Sequence, residues 1–178
     1  MNKIVYYVAS SIDGFIAGKN GDASAFTANG KGVQQYLNDL KEFETVIMGR
    51  KTYEYGYDFG LKPGAPAYPH MQHFIFSKNL DFENAADNVH LIRTYDLEEI
   101  SKIKDKSNTD VYLCGGGQFA GWLLDNEKID ILKLKINPLV LGKGIRIFGE
   151  SDKSYQLSLI DAVNYEDGLV ISSYEIKY

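Results

Sequence analysis

Three consecutive glycines, Gly115, Gly116 and Gly117, are the residues of this sequence best suited to ligand binding. They stand between Asp110 to Cys114, which is typical of a strand, and Gln118 to Leu124, which is typical of an amphipathic helix. Backbone without side chains can approach a ligand closely, and the amides that begin a helix attract anions. The turn therefore predicts a phosphate or pyrophosphate site. The alternative is a tight turn without a ligand, for which one glycine would suffice.

Two cations, Arg50 and Lys51, give a second signal because they follow the strand-like segment Thr45 to Met48 at the predicted start of a short helix. Positive side chains normally avoid a helix N-terminus, since the helix dipole is already positive there. A bound anion would offset this repulsion, and a solvated pair of surface charges is the alternative. Ser77 and Lys78 end a later strand-like segment, and a hydroxyl beside a cation suits a phosphate monoester.

The loop SIDGFIAG, after the first predicted strand, is a further candidate. Asp13 and Gly14 form a turn, and the apolar residues after them can close over a flat ring and exclude water. An ordinary connection is the alternative. A proton for catalysis could come from Asp13, from a tyrosine such as Tyr53, or from water, although Asp13 also fits the role of a turn residue.

Cysteine and histidine offer little chemistry. Cys114 is the only cysteine, so no disulfide can form within the chain, and we expect it to be a small buried hydrophobe. His70 and His73 are three residues apart without an acidic partner pattern, so we expect no metal site.

Composition limits the class of protein. The 178 residues are 44% hydrophobic and 24% charged, with a net charge of −5, so we expect one globular domain over residues 1–178 and no nucleic-acid partner. The 13 tyrosines show no stacking platform interleaved with basic residues. We find neither a signal-peptide pattern nor an apolar run long enough for a membrane span, and a cytoplasmic location is expected.

The elements that must position these residues alternate along the chain. Strand-like segments alternate with amphipathic segments, which favours an α/β fold with a mostly parallel sheet and helices on both faces. Lys3 to Ala9 is apolar after its first residue and predicts a strand buried on both faces. Tyr155 to Val163 and Leu169 to Ile176 predict an antiparallel hairpin at the C-terminal edge.

Two local patterns specify a helix start and the exposure of a strand. Asp96 and Glu99 resemble a capping box before a helix. In Ile129 to Ile136 apolar residues alternate with Lys133 and Lys135, so we expect both lysines to face solvent from a half-covered strand. The glycine turn, the Arg50 pair and Ser77 all follow predicted parallel strands, and in an open α/β sheet ligands bind at that edge.

Together, the motifs SIDGFIA, VIMGRKTYE, CGGGQF and NPLVLGKGIRIF resemble the dihydrofolate reductase-like superfamily, and most closely its branch of riboflavin biosynthesis reductases. The resemblance covers essentially the whole chain. It implies a three-layer fold with an eight-stranded mixed sheet, NADPH as cofactor, a small heterocyclic substrate and a homodimer, which the apolar C-terminal hairpin could support.

The resemblance also implies the cofactor-binding residues. Those beside the nicotinamide are Ala9, Ile16 and Ala17, and those at the phosphate-binding helix start are Gly49, Arg50, Lys51 and Thr52. Ser77 and Lys78 match the 2′-phosphate corner, and the pyrophosphate turn comprises Gly115, Gly116, Gly117, Gln118 and Phe119. Relatives have a cis peptide between the first two of these glycines, so we expect one at Gly115-Gly116.

The sequence departs from the dihydrofolate reductases at two positions. Val33 stands where they carry a carboxylate, and valine cannot hydrogen-bond a pterin. Gln118 stands where a basic residue is usual, although Arg50, Lys51 and Lys78 still favour the phosphorylated cofactor. Three functions stay open: an NADPH-dependent reductase of a ribosylaminopyrimidine, a broad-specificity pterin or folate-like reductase, and a nucleotide-binding protein without turnover.

Overall fold

The β-branched and aromatic segments form one eight-stranded sheet and one two-stranded sheet, in a computed structural model that describes residues 1–178. In chain order the strands are β1 Ile4–Ser11, β2 Phe15–Ala17, β3 Thr45–Gly49, β4 Gln72–Phe76, β5 Val89–Ile92, β6 Val111–Gly115, β7 Ile131–Asn137, β8 Ile145–Arg146, β9 Gln156–Asn164 and β10 Val170–Lys177. The large sheet has the order β5-β4-β3-β6-β1-β7-β10-β9. Only β10 is antiparallel to its neighbours, which confirms the mostly parallel sheet with an antiparallel C-terminal edge.

Four helices cover the two faces of this sheet: α1 Lys31–Asp39, α2 Arg50–Tyr55, α3 Leu97–Lys106 and α4 Gly117–Asp125. Val33 of α1 and Tyr53 of α2 belong to the apolar cluster on one face, which we call the α1 face. Ile100 of α3 and Leu123 of α4 belong to the cluster on the other, the α4 face. The molecule therefore has the three layers that the resemblance implies. No helix combines the length and the apolar character that crossing a membrane requires.

Local sequence explains where the elements begin. The four residues that open β1, starting at Ile4, are buried, as expected for a central strand covered on both faces. Asp96 caps α3 by accepting a hydrogen bond from the Glu98 amide at 2.9 Å. The predicted reciprocal bond from Glu99 is replaced by an ion pair with Lys102, so half of the capping box is confirmed.

The predicted C-terminal hairpin is confirmed, and its outer strand is an open edge. All nine residues of β9 are exposed, whereas β10 is covered by β7 and β9. The ladder between the two strands shifts between Ser173 and Tyr174, and Ile160 is the extra residue of the resulting bulge.

Two expectations about local structure are wrong. The predicted loop after β1 contains β2, which pairs with β8. These strands have three and two residues, too few for a detectable pattern. Lys135 is buried with 6% of its surface exposed, and Lys133 is mostly covered rather than facing solvent. Helix α1 covers this part of the sheet, and the two ammonium groups lie over the rings of Tyr36 and Tyr7 respectively.

Candidate functional site

The candidate site lies where the parallel strands end at one edge of the sheet. Strands β3 and β6 are neighbours, and Met48 pairs with Gly115 near their carboxyl ends. The chain leaves β3 towards the α1 face through α2, and it leaves β6 towards the α4 face through α4. Because adjacent connections diverge to opposite faces, a crevice opens between them, which is the usual ligand position in such sheets.

Direct contacts join the two halves of this crevice. A Cβ built on Gly49 would lie 3.4 Å from Phe119 Cβ and 3.8 Å from the Gly116 nitrogen. A Cβ built on Gly116 would lie 3.0 Å from Thr52 Oγ1. The start of α2 and the glycine turn, which are 66 residues apart between Gly49 and Gly115, are therefore adjacent in the fold.

The glycine turn leaves backbone donors without partners. The peptide bond between Gly115 and Gly116 is cis, as the resemblance implies. The first intrahelical bond of α4 runs from the Ala120 amide to the Gly116 carbonyl at 2.9 Å. The amides of Gly117 and Gln118 have no acceptor within the chain, so they are available to an anion.

Each of the three glycines also has a reason within the chain itself. Gly115 has a φ of +118°, which only glycine adopts readily, and Gly116 packs on Thr52. A Cβ on Gly117 would lie 3.1 Å from the Gly149 nitrogen and closer still to the carbonyl oxygen of Arg146. The inference that a turn needs only one glycine is therefore wrong here, and the case for an anion depends on the free amides instead.

The charged residues of the predicted phosphate site have different partners. Arg50 forms an i,i+4 ion pair with Glu54 at 3.4 Å, which compensates part of its charge, whereas Lys51 is exposed and unpaired. Gly49 pairs with Phe76, so the residues after β4 emerge beside Arg50. Lys78 is exposed there, and the Ser77 hydroxyl accepts the Leu80 amide at 2.9 Å to close a local turn.

Phe119 contributes its side chain to the core rather than to the crevice. Its ring is buried and stacks on Phe76 with centroids 4.7 Å apart, and it also stacks on Trp122. Only its backbone amide remains for a ligand. Gln118 beside it is exposed.

Both candidate proton donors are engaged elsewhere. Asp13 is exposed and accepts hydrogen bonds from the Ser11 hydroxyl at 2.6 Å and from the amides of Leu141 and Gly142. The Ser11 bond is the main reason that the pKa of Asp13 is lowered, so this carboxylate is ionised and fastens two loops together. These bonds agree with the turn role that the sequence gives as an alternative, and the role of proton donor stays a prediction.

The hydroxyl of Tyr53 is committed to the α2 side of the molecule. It donates to the Ala65 carbonyl at 2.6 Å, and burial raises its pKa to about 12. Its ring is in the apolar core of the α1 face. The structure therefore gives Tyr53 the part of a buried anchor for the loop that contains Ala65.

Polar side chains that sequence reasoning missed lie beneath α1 on the α1 face. Lys135 pairs with Ala9 across β1 and β7, so both side chains leave the same face. Its ammonium group lies 5.1 Å from the centre of the Tyr36 ring. The Tyr36 hydroxyl is 2.9 Å from that of Tyr112, and Tyr68 continues the group towards Cys114.

Cys114 is the last member of this polar group. Its sulfur is 3.6 Å from the Tyr68 hydroxyl, and burial raises the pKa of the thiol. A thiol held in its protonated form is a poor nucleophile. The expected packing role is therefore in keeping with the geometry, although Cys114 is half-buried rather than sealed.

His70 and His73 each contact a backbone carbonyl of the chain. His73 is fully buried, receives the Tyr68 amide on Nε2 at 3.1 Å and lies 3.0 Å from the Met71 carbonyl through Nδ1. Burial lowers its pKa to about 4, so the ring is neutral at physiological pH. His70 contacts the Leu40 carbonyl and does not share a site with His73.

Comparison with known proteins adds relatives to this geometry. The model of the RibD C-terminal domain matches residues 2–171. The chain is 26% identical over 178 residues to the uncharacterized protein YyaP of Bacillus subtilis (strain 168), covering 94% of this chain and 92% of that protein.

Two solved structures have the same fold. The protein named "Putative riboflavin biosynthesis protein" from Shewanella sp. PV-4 superposes with a TM-score of 0.82 at 23% identity, over 100% of both chains. Dihydrofolate reductase from Enterococcus faecalis, solved with NADP(H), superposes with a TM-score of 0.68 at 20% identity, over 99% of this chain and 97% of that chain.

Proposed function

The chain belongs to the RibD C-terminal domain family, and on that premise we propose that it is an NADPH-dependent reductase that transfers hydride to a small heterocyclic substrate. The observation that carries this proposal is the group of free amides at the start of α4, which lies directly beside the basic start of α2. Backbone donors and flexible cations facing one crevice suit the paired phosphates of a dinucleotide.

Each part of the cofactor has residues suited to it. Amides of Gly116, Gly117 and Gln118 would bind the pyrophosphate, with Lys51 and the Thr52 hydroxyl on the opposite wall. Residues such as Lys78 would bind the 2′-phosphate, since this exposed cation has no ion-pair partner. When bound, NADPH supplies the hydride, and the protein supplies position and a dry pocket.

The residues around the reacting carbon are small or apolar. Ala9 on β1 leaves room for a flat ring, and Ile16 and Ala17 on β2 lie in the loop that Asp13 fastens to Leu141 and Gly142. Because this loop is held by hydrogen bonds at its turn, we expect it to exclude water from the nicotinamide side.

The substrate we favour is of the 5-amino-6-(5-phosphoribosylamino)uracil type. Val33, whose side chain is buried against the sheet, offers no hydrogen bond to the amidine edge of a pterin. A pyrimidine with ring carbonyl groups does not need a carboxylate at that position. A broad-specificity pterin reductase and a binding protein without turnover are the competing functions.

Titration with the cofactor is the first test. We expect NADPH to raise the melting temperature and NADH to raise it less, with the difference reduced in Lys78→Ala. Lys106→Ala removes an exposed lysine on α3 and is the matched control. If micromolar to millimolar NADPH leaves the melting temperature unchanged, both reductase proposals fail.

An oxidation assay then separates the substrates. NADPH consumption is followed with the ribosylaminopyrimidine and, separately, with dihydrofolate. Turnover of the first alone supports the favoured substrate, turnover of dihydrofolate supports the pterin alternative, and NADPH binding without either turnover supports the non-catalytic alternative.

We further propose that two copies associate through β9. Its outer edge is unpaired, and its exposed side chains include Leu157, Leu159, Ile160 and Val163. Exposed apolar edge strands readily pair with another chain. Light scattering should give the mass of a dimer for the wild type and of a monomer for Leu159→Glu. Equal masses for the two proteins would contradict this arrangement.

A further inference from the structure

The side chain of Lys135 is largely buried, but its ammonium group reaches solvent and has no counter-charge within the chain. Its residue surface is 6% exposed, and its ammonium group has neither an ion-pair partner nor a hydrogen-bond acceptor within the chain. The ammonium nitrogen lies over the face of the Tyr36 ring, 5.1 Å from the ring centroid. A ring face compensates only part of an ammonium charge, and the solvent-accessible side of this group can receive an acceptor.

Lys133, two residues earlier on the same face of β7, shows what a satisfied lysine looks like here. Its ammonium group is 2.7 Å from Asp39 Oδ2 and 4.5 Å from the centre of the Tyr7 ring. Asp39 also accepts the Tyr7 hydroxyl at 3.0 Å, so the charge of Lys133 is compensated within a hydrogen-bonded group. The fold therefore provides a partner for one lysine of the pair and leaves the other without one.

The position of Lys135 relates it to the proposed active site. It lies near the carboxyl end of β7, the edge at which the ligand crevice opens, and it pairs with Ala9 on the same face of the sheet. The Tyr36 ring beside it leads through the Tyr112 hydroxyl towards Cys114, which precedes the glycine turn. The unpaired ammonium group of Lys135 thus belongs to the strand neighbour of Ala9, the residue that we place beside the nicotinamide.

We propose that Lys135 binds a negatively charged or strongly polarised oxygen of the substrate, and that it thereby selects oxygen-bearing rings over amidine-type rings. This inference rests on the proposed function and specifies its substrate class. The oxygen belongs either to a ring carbonyl or carboxylate or to a sugar phosphate. Either oxygen would give the ammonium group of Lys135 a hydrogen-bond acceptor, as Asp39 does for Lys133. Burial also lowers the pKa of Lys135, as expected for a cation awaiting a partner.

Binding calorimetry with four probes tests this role without turnover. Uracil and orotate present ring oxygens, ribose 5-phosphate presents the phosphate, and 2,4-diaminopyrimidine presents the amidine edge. We expect the wild type to prefer at least one oxygen probe to 2,4-diaminopyrimidine. Lys135→Met should weaken that probe at least fivefold, and the probe that responds identifies the oxygen.

Lys133→Met is the matched control, and the melting temperatures of the two variants exclude a purely structural explanation. Lys133→Met breaks an ion pair, so it should melt lower than the wild type while binding the probe within about twofold. Lys135→Met removes an unpaired buried charge, so it should melt at or above the wild-type temperature while losing the probe.

The outcomes separate this inference from the reductase proposal. If the wild type binds no oxygen probe, shows no preference for one, or if Lys135→Met loses less than fivefold for every oxygen probe, the role of Lys135 is refuted. NADPH titration of the same variants decides the cofactor independently, because Lys135 lies outside the phosphate-binding residues. Failure of NADPH binding would refute the reductase while the probe data still decide Lys135.

Discussion

Replacement of Gly117 by alanine tests how the glycine turn is built. The added methyl group would lie 3.1 Å from the Gly149 nitrogen and closer to the Arg146 carbonyl oxygen. Both are backbone atoms, so the segment that contains them must move as a unit. Overpacking of this kind costs about 1–3 kcal/mol, and the helix propensity of alanine returns up to about 1 kcal/mol. We therefore expect a net loss of about 1–2 kcal/mol.

For a chain of this size, that loss corresponds to a melting temperature lower by about 2–8 °C. Thermal unfolding followed by circular dichroism measures it, and Gln118→Ala is the control because the Gln118 side chain is exposed in the same helical turn. A Gly117→Ala protein that melts within about 1 °C of the wild type, well below this estimate, would refute the contact with Arg146 and Gly149. A loss of NADPH binding without a loss of stability would instead make the glycine a ligand requirement alone.

Two further predictions concern buried polar groups. The pKa of His73 is lowered from 6.5 to about 4 in the folded protein, so the unfolded chain protonates this residue more readily. The free energy of unfolding, measured with urea, should be constant above about pH 7 and fall by up to about 3 kcal/mol between pH 6.5 and 4. In a His73→Gln protein this part of the pH dependence should be absent. Asp39→Asn leaves the mostly covered Lys133 without its charge partner, so we expect the free energy of unfolding to fall by about 2 kcal/mol. A loss below about 0.5 kcal/mol would show that solvent screens this ion pair.

The sequence predicts individual elements correctly where each face of the element has the same environment along its length. Lys3 to Ala9 is apolar on both faces, and its strand is central in the sheet. Asp167 and Gly168 lie between the two segments of the hairpin, a pair that favours a tight turn, and Gly168 has a positive φ of 81°. These signals are local, so no knowledge of distant contacts is needed to interpret them.

The alternating pattern of β7 gave a wrong prediction for Lys133 and Lys135, because a lysine can lie either in solvent or beneath a helix that supplies rings and carboxylates. A lysine between apolar residues usually faces water, yet here α1 supplies the Tyr36 ring and the Asp39 carboxylate to that face, and β1 supplies the Tyr7 ring. The sequence of β7 alone does not show that α1, about 100 residues earlier in the chain, covers this face of the strand. The burial of Lys135 is therefore a tertiary property.

The candidate site shows the same division. The free amides at the start of α4 and the exposed Lys51 follow from the strand-turn-helix pattern. The partners of Asp13 and Tyr53 do not, because they come from Leu141, Gly142 and Ala65, which the fold brings near. Short strands such as β2 and β8 escape detection for a similar reason, since each depends on pairing with the other.

The protected thiol of Cys114 makes the molecule convenient for spectroscopy. Since its pKa is raised and no second cysteine exists, reagents that attack thiolates should leave the native protein almost unmodified at neutral pH. A single cysteine introduced on the exposed β9 would then carry a fluorophore or spin label alone. Distances between labels on two copies could be measured without first removing a native residue.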